Sequence, residues 1–234
     1  MIEHQHPQGS EAWLESRRGV ITASRAKDAR DRKKNGEPSD KMLGYAMDVA
    51  RERKPGGRAA PVFVNAAMRM GSEEEQFACI EYIAKTGREL REAYFITTPD
   101  HKFGASLDRW VGQSTKEALE VKTLVSSQTM FKALVDGDIS DYRDQCVFSL
   151  WLLTLDWIDL CLWCPDMQFL HVVRINRDEE EIRRMEDDML AFEKLVTQYE
   201  TKLGNAMAGK SAAGTTAAPT KTPAAAPALI EPTF

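Results

Sequence analysis

The twenty residues from Gly104 to Thr123, GASLDRWVGQSTKEALEVKT, decide how the rest of the chain is read. A short apolar run ends near Asp108, a turn-rich Gly112-Gln113-Ser114 follows, and a second run carries Glu120, Val121 and Lys122. Two such runs around a Gly-Gln-Ser-Thr connection predict a β-hairpin. Side chains alternate along a strand, so Glu120 and Lys122 share one face while Leu119 and Val121 point to the other. Folding the hairpin near 112–115 brings Asp108 back beside Glu120. Two carboxylates and a lysine then meet on otherwise apolar strands. Carboxylate oxygens are hard ligands suited to Mg2+ or Mn2+. With a lysine to help activate water, this is the equipment for metal-dependent phosphodiester hydrolysis. The pattern D-x11-E-x-K is sparse, and the same residues can be solvated charges on a surface hairpin. Its company argues for function: G-x-x-x-E upstream, a glutamine-bearing helix downstream, and R-x-G-x-I-T-A-S near the start.

Composition bounds the possibilities. With 234 residues, 43% apolar and 29% charged, the chain has the make-up of one globular domain. We expect a single domain over residues 1–205. No apolar run reaches the ~18 residues of a membrane span, so no membrane role is expected. The start, MIEHQHPQGSEAW, lacks a basic segment and an apolar core, unlike a secretory signal. Cytoplasmic residence is the default, and four cysteines without a regular framework suit a reducing compartment. A net charge of −5 argues against general nucleic-acid binding, but residues 17–58 hold 13 Lys/Arg against 6 Asp/Glu. A local basic region can hold a phosphate backbone; the same residues also read as a solvated loop at 30–41.

Outward from the hairpin, the patterning alternates between periods. Ser10 to Ser16 reads as a short helix anchored by Trp13. Gly19 breaks the pattern, and Thr22 or Ser24 is placed to cap a following helix, whose N-terminus with Arg17 would suit an anion; an ordinary capped helix is the alternative. Met42–Arg53 and Asn65–Thr86 read as helices. In the second, Phe77, Ile80 and Ile83/Ala84 recur at helical spacing and are expected to face the core. Glu75 lies at the edge of that stripe, where it can reach inward to a metal. Glu92–Thr98 is β-rich and ends at Pro99. Asp138–Leu155 is an amphipathic helix with Gln145 on the flank of its apolar stripe, either at the surface or turned into a site. Trp157–Cys164 and Gln168–Ile175 read as strands, and Asp178–Leu203 as a long amphipathic helix. From residue 206 the Ala/Pro-rich composition predicts a disordered tail through 234. This order suits an α/β (α+β) fold with a mixed central β-sheet flanked by helices.

Other signals carry less. Cys161 and Cys164 have metal-ligand spacing, but in a strand they point to opposite faces. His4 and His6 lie in a terminal segment, and His101 in a turn. No Walker-type loop or dinucleotide glycine pattern occurs.

Taken together, the motifs resemble those of phage lambda exonuclease and the related viral recombinases, a branch of the PD-(D/E)XK nuclease superfamily. The match covers roughly residues 10–175. It comprises Trp13, Arg17 and Gly19 through Ser24; Gly71 and Glu75; Ser106 and Asp108; Glu120 and Lys122; and Gln145, Ser149 and Trp151. The resemblance implies a restriction-endonuclease-like core. It implies that Asp108 and Glu120, with the carbonyl of Val121 and help from Glu75, bind two Mg2+ ions, for which Mn2+ can substitute. Lys122 would orient or activate the attacking water, with Gln145 as a further catalytic candidate. Arg17, Ser24 and Ser106 would form a pocket for a 5′-phosphate. The implied activity is 5′→3′ digestion of double-stranded DNA from its ends, leaving 3′ overhangs for recombination by strand annealing. A homotrimeric ring, a single-strand annealing partner and a phage or prophage origin in a bacterial host are implied with it. One position departs from the family pattern: Val147 stands where a second glutamine is often found.

Two other readings stay open on the sequence: an endonuclease or repair nuclease of the same superfamily, and a non-catalytic DNA-binding assembly protein. The first has no need of an Arg17/Ser24/Ser106 pocket. The second has no need of a buried lysine beside two carboxylates.

Overall fold

Asp108 marks the point where the chain leaves one β-sheet and enters another. The computed structural model describes residues 1–57 and 66–213, with the backbone alone for 66–72 and 210–213. In chain order the elements are β1 (Ile2–His4), α1 (Glu11–Arg17), β2 (Ile21–Thr22), α2 (Ala26–Ala29), α3 (Asp40–Glu52), α4 (Ala66–Thr86), β3 (Leu90–Glu92), β4 (Phe95–Thr97), β5 (Phe103–Ser106), β6 (Arg109–Val111), β7 (Glu117–Thr123), α5 (Ser127–Leu134), α6 (Ser140–Leu152), β8 (Trp157–Cys164), β9 (Phe169–Asn176) and α7 (Glu179–Ala213). The fold is α/β with mixed sheets flanked by helices, as expected. One sheet has the order β1-β4-β5-β2 and the other β3-β6-β7-β8-β9. β6 and β7 form the expected hairpin, with Arg109 opposite Leu119 and Trp110 opposite Ala118. β7 and β8 run parallel, while β8 and β9 are antiparallel.

β8 is buried on both faces, which is why WIDLCLWC reads as an almost unbroken apolar run. Ile158, Leu160, Leu162 and Cys164 join the larger core with Phe148 and Leu150 of α6. Cys161 and Trp163 join a second cluster with Ala78, Cys79 and Tyr82 of α4. The two cysteines therefore lie on opposite faces, and all four cysteines are free and buried. In α7, Ile182, Met185, Met189, Phe192 and Val196 are buried at the predicted spacing. That helix continues to Ala213, past the expected boundary at 205; residues 214–234 of the expected tail lie outside the described residues. No described helix is long and apolar enough to cross a membrane.

Two expectations are corrected, and a third, left open by the sequence, is narrowed. The first is the facing of α4: Phe77, Ile80 and Ile83 are 46%, 62% and 43% exposed, while Ala78, Cys79 and Tyr82 are buried. The polar residues on the inner side explain the choice. Tyr82 donates to Asp159 at 2.7 Å, and Glu74 accepts from Trp163 Nε1 at 2.8 Å. Small Ala78 and Cys79 let the helix lie close to the large side chains of β7 and β8. The second is the capped helix after Thr22. A single 3-10 turn (Ala23–Arg25) and the four-residue α2 stand there, and Thr22 makes no side-chain cap. The third is the basic region, much of which is neutralised by carboxylates. Arg30 pairs with Asp144 and Asp188, Lys27 with Asp141, Arg25 with Asp28 and Asp48, and Arg53 with Glu193 and Glu200.

Arg53 also fixes the loop between Arg17 and β2. Its Nε donates to the Gly19 carbonyl at 2.7 Å, while its two terminal nitrogens grip Glu193 at 2.9 Å each. Gly19 has φ +71°, and a Cβ there would meet Arg53 Cγ at 2.7 Å. Only glycine meets both demands.

The buried Asp159 joins the sheet to α4: it takes Tyr82 at 2.7 Å and Arg174 through two bonds of 2.8 Å. Asp159→Ala strands both partners. Breaking such a pair costs roughly 3–5 kcal/mol when fully buried, but the Arg174 side chain is 39% exposed. We therefore expect a loss of about 2–3 kcal/mol in urea unfolding. A loss below about 1 kcal/mol, the range of a surface pair, would show that the network does not hold α4.

Candidate active site

The site begins with an unpaired backbone edge. β6 pairs with β7 only as far as Arg109. Beyond it the chain turns away through Asp108 into the other sheet, so the next amide on that edge of β7 loses its strand partner. A backbone N–H at such a place needs an acceptor. Asp108 supplies one: Val121 N donates to Asp108 Oδ2 at 2.7 Å. A residue's N–H and C=O point to the same side of a strand. The Val121 carbonyl is therefore directed away from β8, into the same opening.

Glu120 and Lys122 project from the face of β7 opposite Leu119 and Val121, as alternation requires. Lys122 Nζ donates to Glu120 Oε1 at 2.7 Å and to Gln145 Oε1 at 3.0 Å. The Gln145 amide nitrogen in turn donates to Glu120 Oε1. Gln145 thus turns into the site rather than to the surface. Val147 is buried in the core, so a second glutamine at that position would not reach these groups. Ser149 bonds back to the Gln145 carbonyl at 3.1 Å, and Trp151 packs edge-on against Phe103 and Phe148. These last two motif residues support the helix and do not enter the site.

The electrostatics follow from burial. Burial, then the nearby Asp108 charge, raises the Glu120 pKa to about 7 against the pull of Lys122. Burial also raises Asp108, opposed by Lys122 and by the Val121 N–H. Burial works against the Lys122 ammonium, but Glu120 and Asp108 outweigh it and hold its pKa above the ordinary lysine value. Glu75 is raised by burial and then by Asp108, and Arg109 takes its carboxylate at 2.6 Å.

Among the described residues, no three His, Cys, Asp or Glu side chains form a metal cage. Glu75, engaged by Arg109, is the reason two carboxylates are available rather than three. The donor set nonetheless fits Mg2+, which is bound by one or two carboxylates and keeps several waters. Asp108 and Glu120 each use one oxygen in the bonds above, leaving Asp108 Oδ1 and Glu120 Oε2 without a hydrogen bond among the described residues. With the Val121 carbonyl these are three hard oxygens in one opening. Burial and the Asp108 charge raise the Glu120 pKa, and a cation between the two carboxylates would stabilise their ionised forms.

A second group lies alongside. Arg17 donates to Ser106 Oγ at 3.0 Å and to Ser24 Oγ at 3.1 Å. Its guanidinium stacks on Trp13, 4.3 Å from the ring centre, and lies 5.0 Å from that of Phe95. Burial lowers its pKa to about 10, so it stays charged at neutral pH. No carboxylate reaches it among the described residues. A charged guanidinium with two hydroxyls and no counter-ion is a site for an anion. The long capped helix expected to assist is not there, since a 3-10 turn and the four-residue α2 follow β2, neither with a side-chain cap.

All nine residues singled out from the sequence fall in these two adjoining groups: Asp108, Glu120, Val121, Lys122, Gln145 and Glu75 in one, Arg17, Ser24 and Ser106 in the other. Arg109 escaped sequence reading although it follows Asp108 directly. Trp13, read as the anchor of its short helix, also supports Arg17.

Residues 12–156 match the YqaJ-like viral recombinase domain. The chain is similar in structure to an alkaline exonuclease from Laribacter hongkongensis, with 27% identity over 86% of this chain and 99% of that one and a TM-score of 0.72. The same enzyme in complex with dAMP gives 26% identity over the same shares and a TM-score of 0.73. A phage-related exonuclease from Haemophilus somnus 129PT shares the fold, at 16% identity over 79% of this chain and 96% of that one, with a TM-score of 0.61. No curated protein sequence matches the chain. The domain match spans more than half of the chain and contains both groups of the site, and the chain belongs to the YqaJ-like viral recombinase family.

Proposed function

We propose that this protein is a Mg2+-dependent exonuclease that degrades double-stranded DNA from 5′-phosphorylated ends, 5′→3′, leaving 3′ single strands for recombination by annealing. The observation that carries the reading is the adjacency of the two groups. Ser106, beside Arg17, and Asp108 are two residues apart, hence within about 7 Å along the chain. A terminal phosphate held by Arg17, Ser24 and Ser106 leaves the next phosphate beside Asp108 and Glu120, so cleavage releases one nucleotide at a time. The family and the likeness to the Laribacter alkaline exonuclease support the same reaction. In keeping with relatives of this kind, we assign a homotrimeric ring and a single-strand annealing partner to the working enzyme.

Asp108, Glu120 and the Val121 carbonyl would hold the metal, two ions with Mn2+ able to replace Mg2+, and Glu75 would join them on release from Arg109. When bound, the metal supplies the positive charge that polarises the scissile phosphate and activates water. Lys122 stays protonated between its carboxylates, orients the attacking water and offsets charge that grows on the phosphate. Gln145 holds Lys122 and Glu120 in register. Arg17 and the two serines hold the end in place, which converts an encounter into an aligned reaction.

Asp108→Ala and Glu120→Ala should reduce Mg2+-dependent DNA cleavage to background. Lys122→Ala should lower kcat about a hundred- to a thousandfold while DNA-end binding persists. Near-native turnover in the carboxylate variants would remove the metal assignment, and a parallel loss of binding in the lysine variant would make Lys122 a phosphate contact.

The native enzyme should digest 5′-phosphorylated duplex about ten- to a hundredfold faster than 5′-hydroxyl duplex. That is the factor for losing a charge-assisted bond worth roughly 1.5–3 kcal/mol. Arg17→Ala should erase most of that preference. If the variant keeps it, Arg17 does not read the phosphate.

The raised carboxyl pKa values give a stability test. The folded metal-free site holds protons that the unfolded chain has released, so its contribution to stability falls as pH rises from the ordinary carboxylate range through about 7. Metal binding should reverse this. Millimolar Mg2+ should raise Tm clearly at about pH 8 and progressively less toward about pH 5.5, where protons compete for the same oxygens. An equal shift across that range, or the same shift in Asp108→Ala, would place the metal elsewhere.

A further inference from the structure

The cleft beside Asp108 has a wall that the proposed chemistry does not use. A cavity of about 350 Å3 opens between Ser106–Arg109 on one side and residues 5–8 on the other, with Trp13 and Tyr94 among its rings. Its size is that of a small-molecule site, roughly 300–1,000 Å3, too small for a duplex. Residues 5–8 are delivered there by β1, which pairs antiparallel with β4 with His4 opposite Phe95. His4 pins the strand: its Nε2 lies 3.1 Å from Thr97 Oγ1 and its ring 5.7 Å from that of Phe95. The chain then turns, with Ser10 N donating to the Pro7 carbonyl at 3.0 Å and Gly9 at φ +82°, directly into α1. One short segment thus joins the cavity wall to the helix that carries Trp13 and Arg17.

The two glutamines of this segment have little to do within the protein. Gln8 makes no side-chain hydrogen bond among the described residues. Gln5 makes a single long one, 3.4 Å to Glu3. Both line the cavity. A primary amide offers donors and an acceptor together and so can meet any sugar or base edge. The rings beside them give a stacking surface that does not depend on base identity. An enzyme that removes nucleotides of every base in turn needs both properties in the chamber next to its phosphate site.

We propose that residues 2–8 are a positioning strap that walls the chamber for the terminal nucleoside of the 5′-ended strand, with Gln5 and Gln8 as its contacts to sugar and base. The inference rests on the end-directed exonuclease reading and names a part of that site. It makes the strap a KM element: it holds the nucleoside but touches neither metal ligands nor the reacting phosphate.

The test uses the full chain, a variant lacking residues 2–8, and the double variant Gln5→Ala/Gln8→Ala, which keeps β1 paired. Steady-state digestion of 5′-phosphorylated linear duplex gives kcat and KM. Calorimetric titrations give affinities for dAMP and for inorganic phosphate. We expect KM and the dAMP dissociation constant to rise about tenfold in both variants, with kcat within about twofold and phosphate affinity unchanged. Unchanged KM and dAMP affinity would overturn the proposal. So would equal losses for dAMP and phosphate, because the strap would then merely brace the Arg17 pocket. Should the truncated chain lack a cooperative thermal transition, the double variant decides. A native protein that leaves all linear DNA intact would refute the exonuclease reading itself, while the dAMP titrations still judge the strap.

Discussion

The hydrogen bond from Val121 N–H to Asp108 is the constraint on which the rest depends. β7 needs a partner along its edge, and β6 supplies one only to Arg109. The chain must leave at that point because β5 belongs to the other sheet. A carboxylate standing in for the missing strand solves the backbone problem at 2.7 Å, and in doing so it is fixed beside Glu120 and the Val121 carbonyl. On the proposed reading, structural necessity and metal chemistry converge on one side chain. The cost is the burial of charged groups, which raises both carboxyl pKa values, with the Asp108 charge adding to the rise at Glu120. Lys122 and Arg109 offset it, and a divalent cation would offset it further.

The frame around this point is rigid where the chemistry needs rigidity. β8, an inner strand of its sheet, is packed on both faces, and β7 is paired in parallel along it. Asp159 ties that strand to α4 and Arg174 from within. The Arg17 group is held from the other side by the Gly19–Arg53–Glu193 clamp, which reaches α7. The two groups of the site thus have different anchors and adjoin at Ser106–Asp108. This is why damage to either support should separate end recognition from bond cleavage.

Much of the site was legible in the sequence because a period-two alternation and one turn suffice to bring Asp108, Glu120 and Lys122 together. β8 and α7 were legible for similar reasons: an unbroken apolar run for one, and a five-residue buried stripe at helical spacing for the other. The facing of α4 was not legible. Apolar residues lie on both of its sides, and the inner face is chosen by Tyr82 and Glu74 finding partners in distant strands, which no local pattern announces. The missing helix after Thr22 has a similar origin: both hydroxyls that looked like caps are drawn into the Arg17 and Thr22–Ser24 contacts. The basic segment stayed ambiguous for a third reason, because several of its counter-charges come from helices more than a hundred residues away.

The exposed stripe Phe77, Ile80 and Ile83 shows the same lesson from the outside, for periodicity reports that a face is apolar without saying what covers it. The central claim, that these two groups make an end-directed nuclease, is tested most directly on one pair of substrates. Linear duplex labelled separately at its 5′ and 3′ termini, and a covalently closed circle of the same sequence, are incubated with the protein and Mg2+. The account predicts that the 5′ label is released first, as a mononucleotide, while the 3′ label is retained on the surviving strand and the circle stays closed. Nicking of the circle, or earlier release of the 3′ label, would contradict it.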